Sequence, residues 1–265
     1  MSADIRIIYE DDDLMVCHKK AGMATEGAAA GRMDLISAAR NYLARKNRTN
    51  TTGRQRNLPP YVATVNRLDQ PVEGILAFAR TKSGAAALTK QLGSDEMNKS
   101  YLALVYGETD EEGVLEDYLC KEAKGNLSKV VSDKEPNARF AQLSYETLAK
   151  KKLADMQRNV DPACSDDVLS LVHIRLKTGR HHQIRVQFAN AGHPLLADKK
   201  YADPVTLQIS AALGIQNIAL CAHRLHFVHP VTKQKMAFEV TPKGHAFELL
   251  DTGGVVQKTN DCNNI

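Results

Sequence analysis

The sequence predicts an α+β fold in which helices and loops flank a mixed, mostly antiparallel sheet. Three observations carry that expectation. Short β-rich runs follow one another directly, as hairpins do, instead of alternating strictly with helices. Only a few stretches space their apolar residues as an amphipathic helix does. The 265 residues, 43% of them hydrophobic, suffice for a sizeable core and contain no repeat, low-complexity tract or linker-like change of composition. Residues 1–250 therefore read as a single domain, and the tail 251–265 reads as disordered.

In chain order, IRIIY (5–9) and LMVCH (14–18) are β-rich runs separated by EDDD, which predicts a strand pair. In MDLISAARNYLARK (33–46), Leu35, Ile36, Ala39, Tyr42 and Leu43 recur at helical spacing. Asp34 near its start and basic residues near its end suit the helix dipole. The next segment, NRTNTTGRQRNLPP (47–60), is rich in turn formers and ends in two prolines, so an exposed loop is expected. GILAFAR (74–80) has the composition of a buried strand, and TKSGAAALTKQLGS (81–94) that of a helix capped by Thr81. Strands are expected at KSYLALVYGE (99–108), VLEDYL (114–119), LSKVVS (127–132) and ARFAQLSYETLA (138–149). A long polar connection, 150–167, leads into the alternating strand VLSLVHIRLK (168–177), which breaks at Thr178-Gly179. A helix over about 180–191, strands ALCAHRLHFVH (219–229) and KMAFEV (235–240), and a short helix over about 244–250 complete the expected elements.

The formal charge of +4 is only mildly basic and does not by itself select nucleic acid as a partner. Its distribution is more informative. No acidic residue lies between Asp34 and Asp69, while Arg40, Arg45, Lys46, Arg48, Arg54, Arg56 and Arg67 do. Such a stripe attracts phosphate; the alternative is a solvated loop with incidental arginines. Cysteines 17, 120, 164, 221 and 262 form no C-x-x-C pair, which predicts reduced thiols in the cytoplasm. The acidic start MSADIRIIYEDDD does not fit a signal or transit peptide, and no apolar run approaches the roughly 18 residues of a membrane helix. A soluble, intracellular protein without membrane attachment is expected. Neither a P-loop nor G-x-G-x-x-G occurs. In a strand, His223 and His226 would point to opposite faces, which argues against a metal site in HRLHFVH (223–229). No metal or cofactor is expected.

Asp69 lies in NRLDQPVEG, a turn containing Pro and Gly between two apolar segments, where loops present reactive groups. Read alone, it is a turn or cap aspartate. Likewise Tyr101, which shares a strand face with Ala103 and Val105, is by itself a core tyrosine, and Arg185 a surface helix arginine.

Three blocks change that reading: VNRLDQPVEGILAFART (65–81), KSYLALVYG (99–107) and IRLKTGRHHQIRVQFANAGHPLLADKKY (174–201). In this order they resemble the RluA-type RNA pseudouridine synthases. The signature His-Arg-Leu-Asp followed by Ser-Gly-Leu is matched by Asn66-Arg67-Leu68-Asp69 and Glu73-Gly74-Ile75. Thr-Gly-Arg-x-His-Gln-Ile-Arg-Val is matched by Thr178, Gly179, Arg180, His182, Gln183, Ile184, Arg185 and Val186. Gly192-His193-Pro194, Asp198, Tyr201, Leu225, Phe227, His229 and Pro230 also fit, so the resemblance spans about residues 5–240. Because it starts so early, the catalytic domain is expected alone, without the small S4-like RNA-binding domain that precedes it in many relatives.

The resemblance implies the pseudouridine synthase fold, an RNA partner (ribosomal or transfer RNA), a monomer, and isomerisation of uridine to pseudouridine without a cofactor. It assigns the nucleophile to Asp69, the cation facing that carboxylate to Arg185, and the tyrosine stacked on the uracil to Tyr101. Leu225 maps to an apolar residue against the substrate, and Arg67 to RNA contact and base flipping. Lys177, Arg180, Arg48, Arg54 and Arg56 are candidate phosphate contacts. A carboxylate nucleophile acts only while ionised, and burial against a base penalises that form unless a cation sits within about 4–6 Å. The sugar is carried between the chemical steps either as a covalent adduct or as an unsaturated glycal. Three departures stand out: Asn66 replaces the usual histidine, Val72-Glu73 replaces Thr-Ser, and the histidine expected near Cys221 is absent. A noncatalytic RNA-binding protein that keeps the fold, or a glycosidase using Glu73 as second acid, are the competing functions.

Overall fold

A computed structural model of the chain describes residues 5–50, 59–92, 94, 96–156 and 164–250, with only the backbone of 48–50. The elements run β1 (Arg6–Glu10), β2 (Leu14–Lys19), α1 (Leu35–Asn50), β3 (Ala63–Thr64), β4 (Glu73–Ala79), α2 (Lys82–Gln91), β5 (Asn98–Tyr106), β6 (Glu112–Lys121), β7 (Ser128–Val131), β8 (Arg139–Lys152), β9 (Val168–Leu176), α3 (Gln183–Asn190), α4 (Pro204–Ala212), β10 (Leu220–Val228), β11 (Lys235–Glu239) and α5 (His245–Glu248). The described residues gather into two compact units, those within 1–99 and 222–240, and those within 100–221 and 241–250.

In the first unit the strand order is β1-β2-β4-β10, with β3 on β4 and β11 on β10. Strand β2, LMVCHK, is buried at every position and lies antiparallel between β1 and β4. A central strand covered on both faces reads as an unbroken apolar run, and LMVC does. Its register on β4 runs from Leu14↔Ala79 to Lys19↔Gly74. Helix α2 starts at the expected cap, where Thr81 Oγ1 accepts the Gly84 amide at 3.0 Å. Gly74 has no tolerable substitute. Its φ is +131°, and a Cβ there would sit 2.3 Å from the Ala222 carbonyl oxygen.

The second unit is an antiparallel meander in the order β5-β9-β8-β6-β7. Helix α3 covers one face. Val186 packs with Leu119 and Ala141, and Gln187 Nε2 donates to Leu115 O at 3.1 Å and to Asp117 Oδ2 at 2.8 Å. The α+β expectation thus holds, with every strand pairing whose register is described being antiparallel.

Several boundaries differ from the sequence expectation. Helix α1 runs on to Asn50, four residues into the expected loop. Residues 180–182 are not helical, because α3 begins only at Gln183, after His182 in the left-handed region (φ 55°). The polar connection after β8 opens with a 3-10 turn at Leu153–Met156. Helix α4 was not expected, although Asp203 caps it by accepting the Thr206 amide at 2.9 Å and Pro204 fills its first turn. The expected tail, 251–265, lies outside the described residues.

Candidate active site

Asp69 opens a tight turn that Val72 closes by donating its amide to Asp69 O at 3.0 Å. Its side chain is half-buried. Both neighbours are tied to the segment after β2. Thr25 Oγ1 donates to Leu68 O at 2.8 Å, Gly22 donates its amide to Gln70 O at 2.9 Å, and Gln70 Nε2 donates to Gly22 O at 3.1 Å. A carboxylate on an otherwise mobile turn is thereby held from both sides, as a preorganised reactive group has to be.

Lys19, at the end of β2, is fully buried beside this turn. Its ammonium donates to the carbonyls of Met23 at 2.7 Å, Gln70 at 3.0 Å and Lys20 at 3.3 Å, which uses all three donors. Burial lowers its pKa to about 8, against an opposing pull from the Asp69 and Glu73 carboxylates. Glu73, itself buried, is therefore a second negative charge acting on the same ammonium. Asn66 also has a structural task. Its Oδ1 accepts the Ala77 amide of β4 at 3.2 Å, satisfying a buried donor beside the Asp69 turn. Neither role is visible in the sequence pattern.

In the second unit, Tyr101 is 6% exposed on β5, opposite Ile174 of β9. Arg185, on α3, is 4% exposed and grips Asp198 bidentately, Nε to Oδ2 at 2.8 Å and Nη2 to Oδ1 at 2.6 Å. Its guanidinium carbon lies 5.1 Å from the centre of the Tyr201 ring. The motif around it has a mechanical reason. Gln183 Oε1 accepts both the Arg180 amide at 2.9 Å and the Thr178 hydroxyl at 2.8 Å, folding Thr-Gly-Arg back onto the start of α3. Leu225 is buried on β10 of the first unit.

The candidate RNA contacts differ among themselves. Arg67 is exposed and pairs with Glu26 at 3.2 Å, and Lys46 of the basic stripe pairs with Glu10 at 2.9 Å, so part of that stripe is already balanced. Lys177 and Arg180 are exposed; Arg180 Nε donates to Phe140 O at 2.8 Å. Arg54, Arg56 and the side chain of Arg48 lie outside the described residues. Asp11, Asp13 and His229 come close enough together to suggest a cation site. The ligand atoms of Asp11 and His229 are engaged, however. Asp11 Oδ1 accepts the Asp13 and Leu14 amides, while Oδ2 accepts the Tyr9 hydroxyl. His229 Nδ1 accepts the Val231 and Thr232 amides, which leaves Nε2 to donate to Asp11 Oδ2 at 2.8 Å. No described helix is long and apolar enough to cross a membrane.

A sequence model of the family described as RNA pseudouridylate synthase matches residues 13–190. Among curated proteins, the chain is 29% identical to a tRNA pseudouridine synthase C of Haemophilus ducreyi, over 88% of this chain and 89% of that one. It is 30% identical to a ribosomal large subunit pseudouridine synthase C of Buchnera aphidicola, where it spans 87% of its own length and 65% of the relative's. Among solved structures, human RNA pseudouridylate synthase domain containing 4 superposes with a TM-score of 0.66 at 19% identity, covering 92% of each chain. That last likeness is one of fold.

Proposed function

The chain belongs to the RNA pseudouridylate synthase family, and we propose that it isomerises particular uridines of ribosomal or transfer RNA with Asp69 as the nucleophile. The carboxylate attacks C1′ of the target nucleotide, and the C1′–N1 electron pair leaves with the base, as when a glycosidase carboxylate displaces an aglycone. The uracil turns until C5 faces C1′ and displaces the carboxylate. C5 then loses its proton and N1 gains one, so product and substrate have the same composition. Tyr101 stacks on the uracil and its hydroxyl assists at C5. Arg185 favours the ionised carboxylate, for which a guanidinium is suited because it stays charged when buried. Leu225 supplies an apolar surface. Arg67 contacts the RNA backbone and fills the gap left by the flipped nucleotide, while Lys177, Arg180, Arg48, Arg54 and Arg56 meet further phosphates. We further propose that residues 1–250 act as one catalytic domain of a monomeric, cytoplasmic enzyme that needs neither metal nor cofactor.

The observation that carries this assignment is the clamped Asp69 turn inside the matched residues, half-buried and bound on both sides to residues 19–25. It is tested with RNA from cells that lack the gene, labelled with tritium at uridine C5, because forming the new C–C bond expels that hydrogen. Wild type is expected to release tritium. Asp69→Asn should release none while binding the RNA within about twofold of wild type. Turnover in the variant would overturn the assignment, RNA binding without turnover in the wild type would indicate a noncatalytic binder, and free uracil would indicate a glycosidase. Mapping pseudouridines with and without the gene identifies the RNA.

A further inference from the structure

We propose that Asp198 and Tyr201 are positioning residues that fix the guanidinium of Arg185 for the reaction; the proposal rests on the role assigned to Arg185 above. Both come from one short turn after α3, in which Tyr201 and Ala202 donate their amides to Asp198 O at 3.3 and 3.0 Å. The turn therefore delivers two constraints together. The Asp198 fork, at 2.8 and 2.6 Å, fixes the plane of the guanidinium and its rotation in that plane. The Tyr201 ring, 5.1 Å from the guanidinium carbon, restrains it in the remaining direction.

Each restraint is itself held. Asp198 is fully buried, and its Oδ1 also accepts the Lys200 amide at 3.0 Å. The Tyr201 hydroxyl accepts the Ser128 amide at 2.9 Å and is hydrogen-bonded to His182 Nδ1 at 2.6 Å, with the two rings edge to face at 5.5 Å. Stability alone does not account for this investment. Desolvating two charges offsets most of what their attraction gains, so a buried ion pair adds little to stability compared with apolar side chains of the same volume. What the arrangement does supply is direction. An arginine on four rotatable bonds is reduced to one orientation, and a misplacement of about 1 Å in a reacting constellation costs on the order of a hundredfold in rate.

The test compares full-length Asp198→Asn, Tyr201→Leu, Tyr201→Phe and Arg185→Ala with wild type. The probe is the C5-tritiated RNA described above, in single turnover, with RNA affinity and melting temperature measured in parallel. Asp198→Asn keeps the shape but one charge fewer, and is expected to lower the single-turnover rate about a hundredfold at an RNA affinity within about twofold of wild type. Tyr201→Leu leaves no uncompensated charge and so remains folded if Asp198→Asn does not; it should lose about tenfold, with Tyr201→Phe recovering most of that. A purely structural role would lower the melting temperature without this split between rate and affinity. Wild-type rates in folded Asp198→Asn and Tyr201→Leu beside an inactive Arg185→Ala overturn the proposal and leave the role of Arg185 intact. A wild-type rate in Arg185→Ala overturns that role, and the proposal with it.

Discussion

Lys19 shows how much a single buried charge can depend on the turn beside it. Burial lowers its pKa from the usual 10.5 to about 8, even with the Asp69 and Glu73 carboxylates favouring the charged form. The unfolded chain thus holds this proton more tightly than the folded one. Below pH 8 both states are protonated and the charge costs the fold a constant amount; as pH rises from about 8 towards 10.5 that cost is lifted, so stability rises through this window. The full change is on the order of 3 kcal/mol. Melting temperatures of wild type and Lys19→Gln between pH 7 and 10 check this, because other titrations cancel in the difference. The wild type should gain on the variant as pH rises, and a constant gap would show that Lys19 keeps an ordinary pKa. At every pH the variant should melt lower, since it leaves carbonyls of Met23, Gln70 and Lys20 without their donor.

The elements differ in how openly the sequence displays them. Gly74 is a clear case for experiment: its φ of +131° and the Ala222 backbone 2.3 Å from any added Cβ combine strain with a steric block near the start of β4. Gly74→Ala is expected to destabilise the protein by several kcal/mol, at or above the usual 1–3 kcal/mol of overpacking, and thermal melting or soluble yield would show it. A melting temperature within a degree or two of wild type would mean that β10 can move away from β4. Strands β2, β4, β5 and β9 were legible because unbroken apolar runs or strict alternation survive as pattern. Helix α4 was not, because Val205, Thr206 and Ile209 have the composition of a strand, although Asp203-Pro204 is a readable start signal. The beginning of α3 was misplaced because of local side-chain bonds that leave no periodic pattern: the Gln183 carboxamide captures Arg180 and Thr178, and His182 is left-handed beside it. Asp69, Tyr101 and Arg185 stood out only through resemblance to a family. Asn66 and Glu73 showed only as departures from that family's motif and Lys19 not at all, because a buried charge or an amide standing in for backbone leaves no periodic trace.

Charge is a property of the whole chain, and here the net +4 understates how the positive side chains are distributed. Arg67 belongs to the first unit, Lys177 and Arg180 to the second, and all three are exposed. The pairing of Arg67 with Glu26 does not remove it from this set. Its side chain is 72% exposed and that of Glu26 40%, so the bridge contributes at most about 1 kcal/mol and can be exchanged for a phosphate. Each phosphate neutralised releases condensed counterions, which makes log affinity fall with log salt concentration by about 0.7 per contact on single-stranded RNA. Arg67→Gln, Lys177→Gln and Arg180→Gln should therefore each flatten that slope by about 0.7 to 1 and weaken binding to all RNA sequences alike. Being separate contacts, they should add in the triple variant, which is expected to lose about 2 to 3 from the slope. Filter binding from 50 to 300 mM salt measures it. A residue whose replacement leaves the slope unchanged makes no phosphate contact, and a loss confined to one RNA sequence would mean that it reads a base instead.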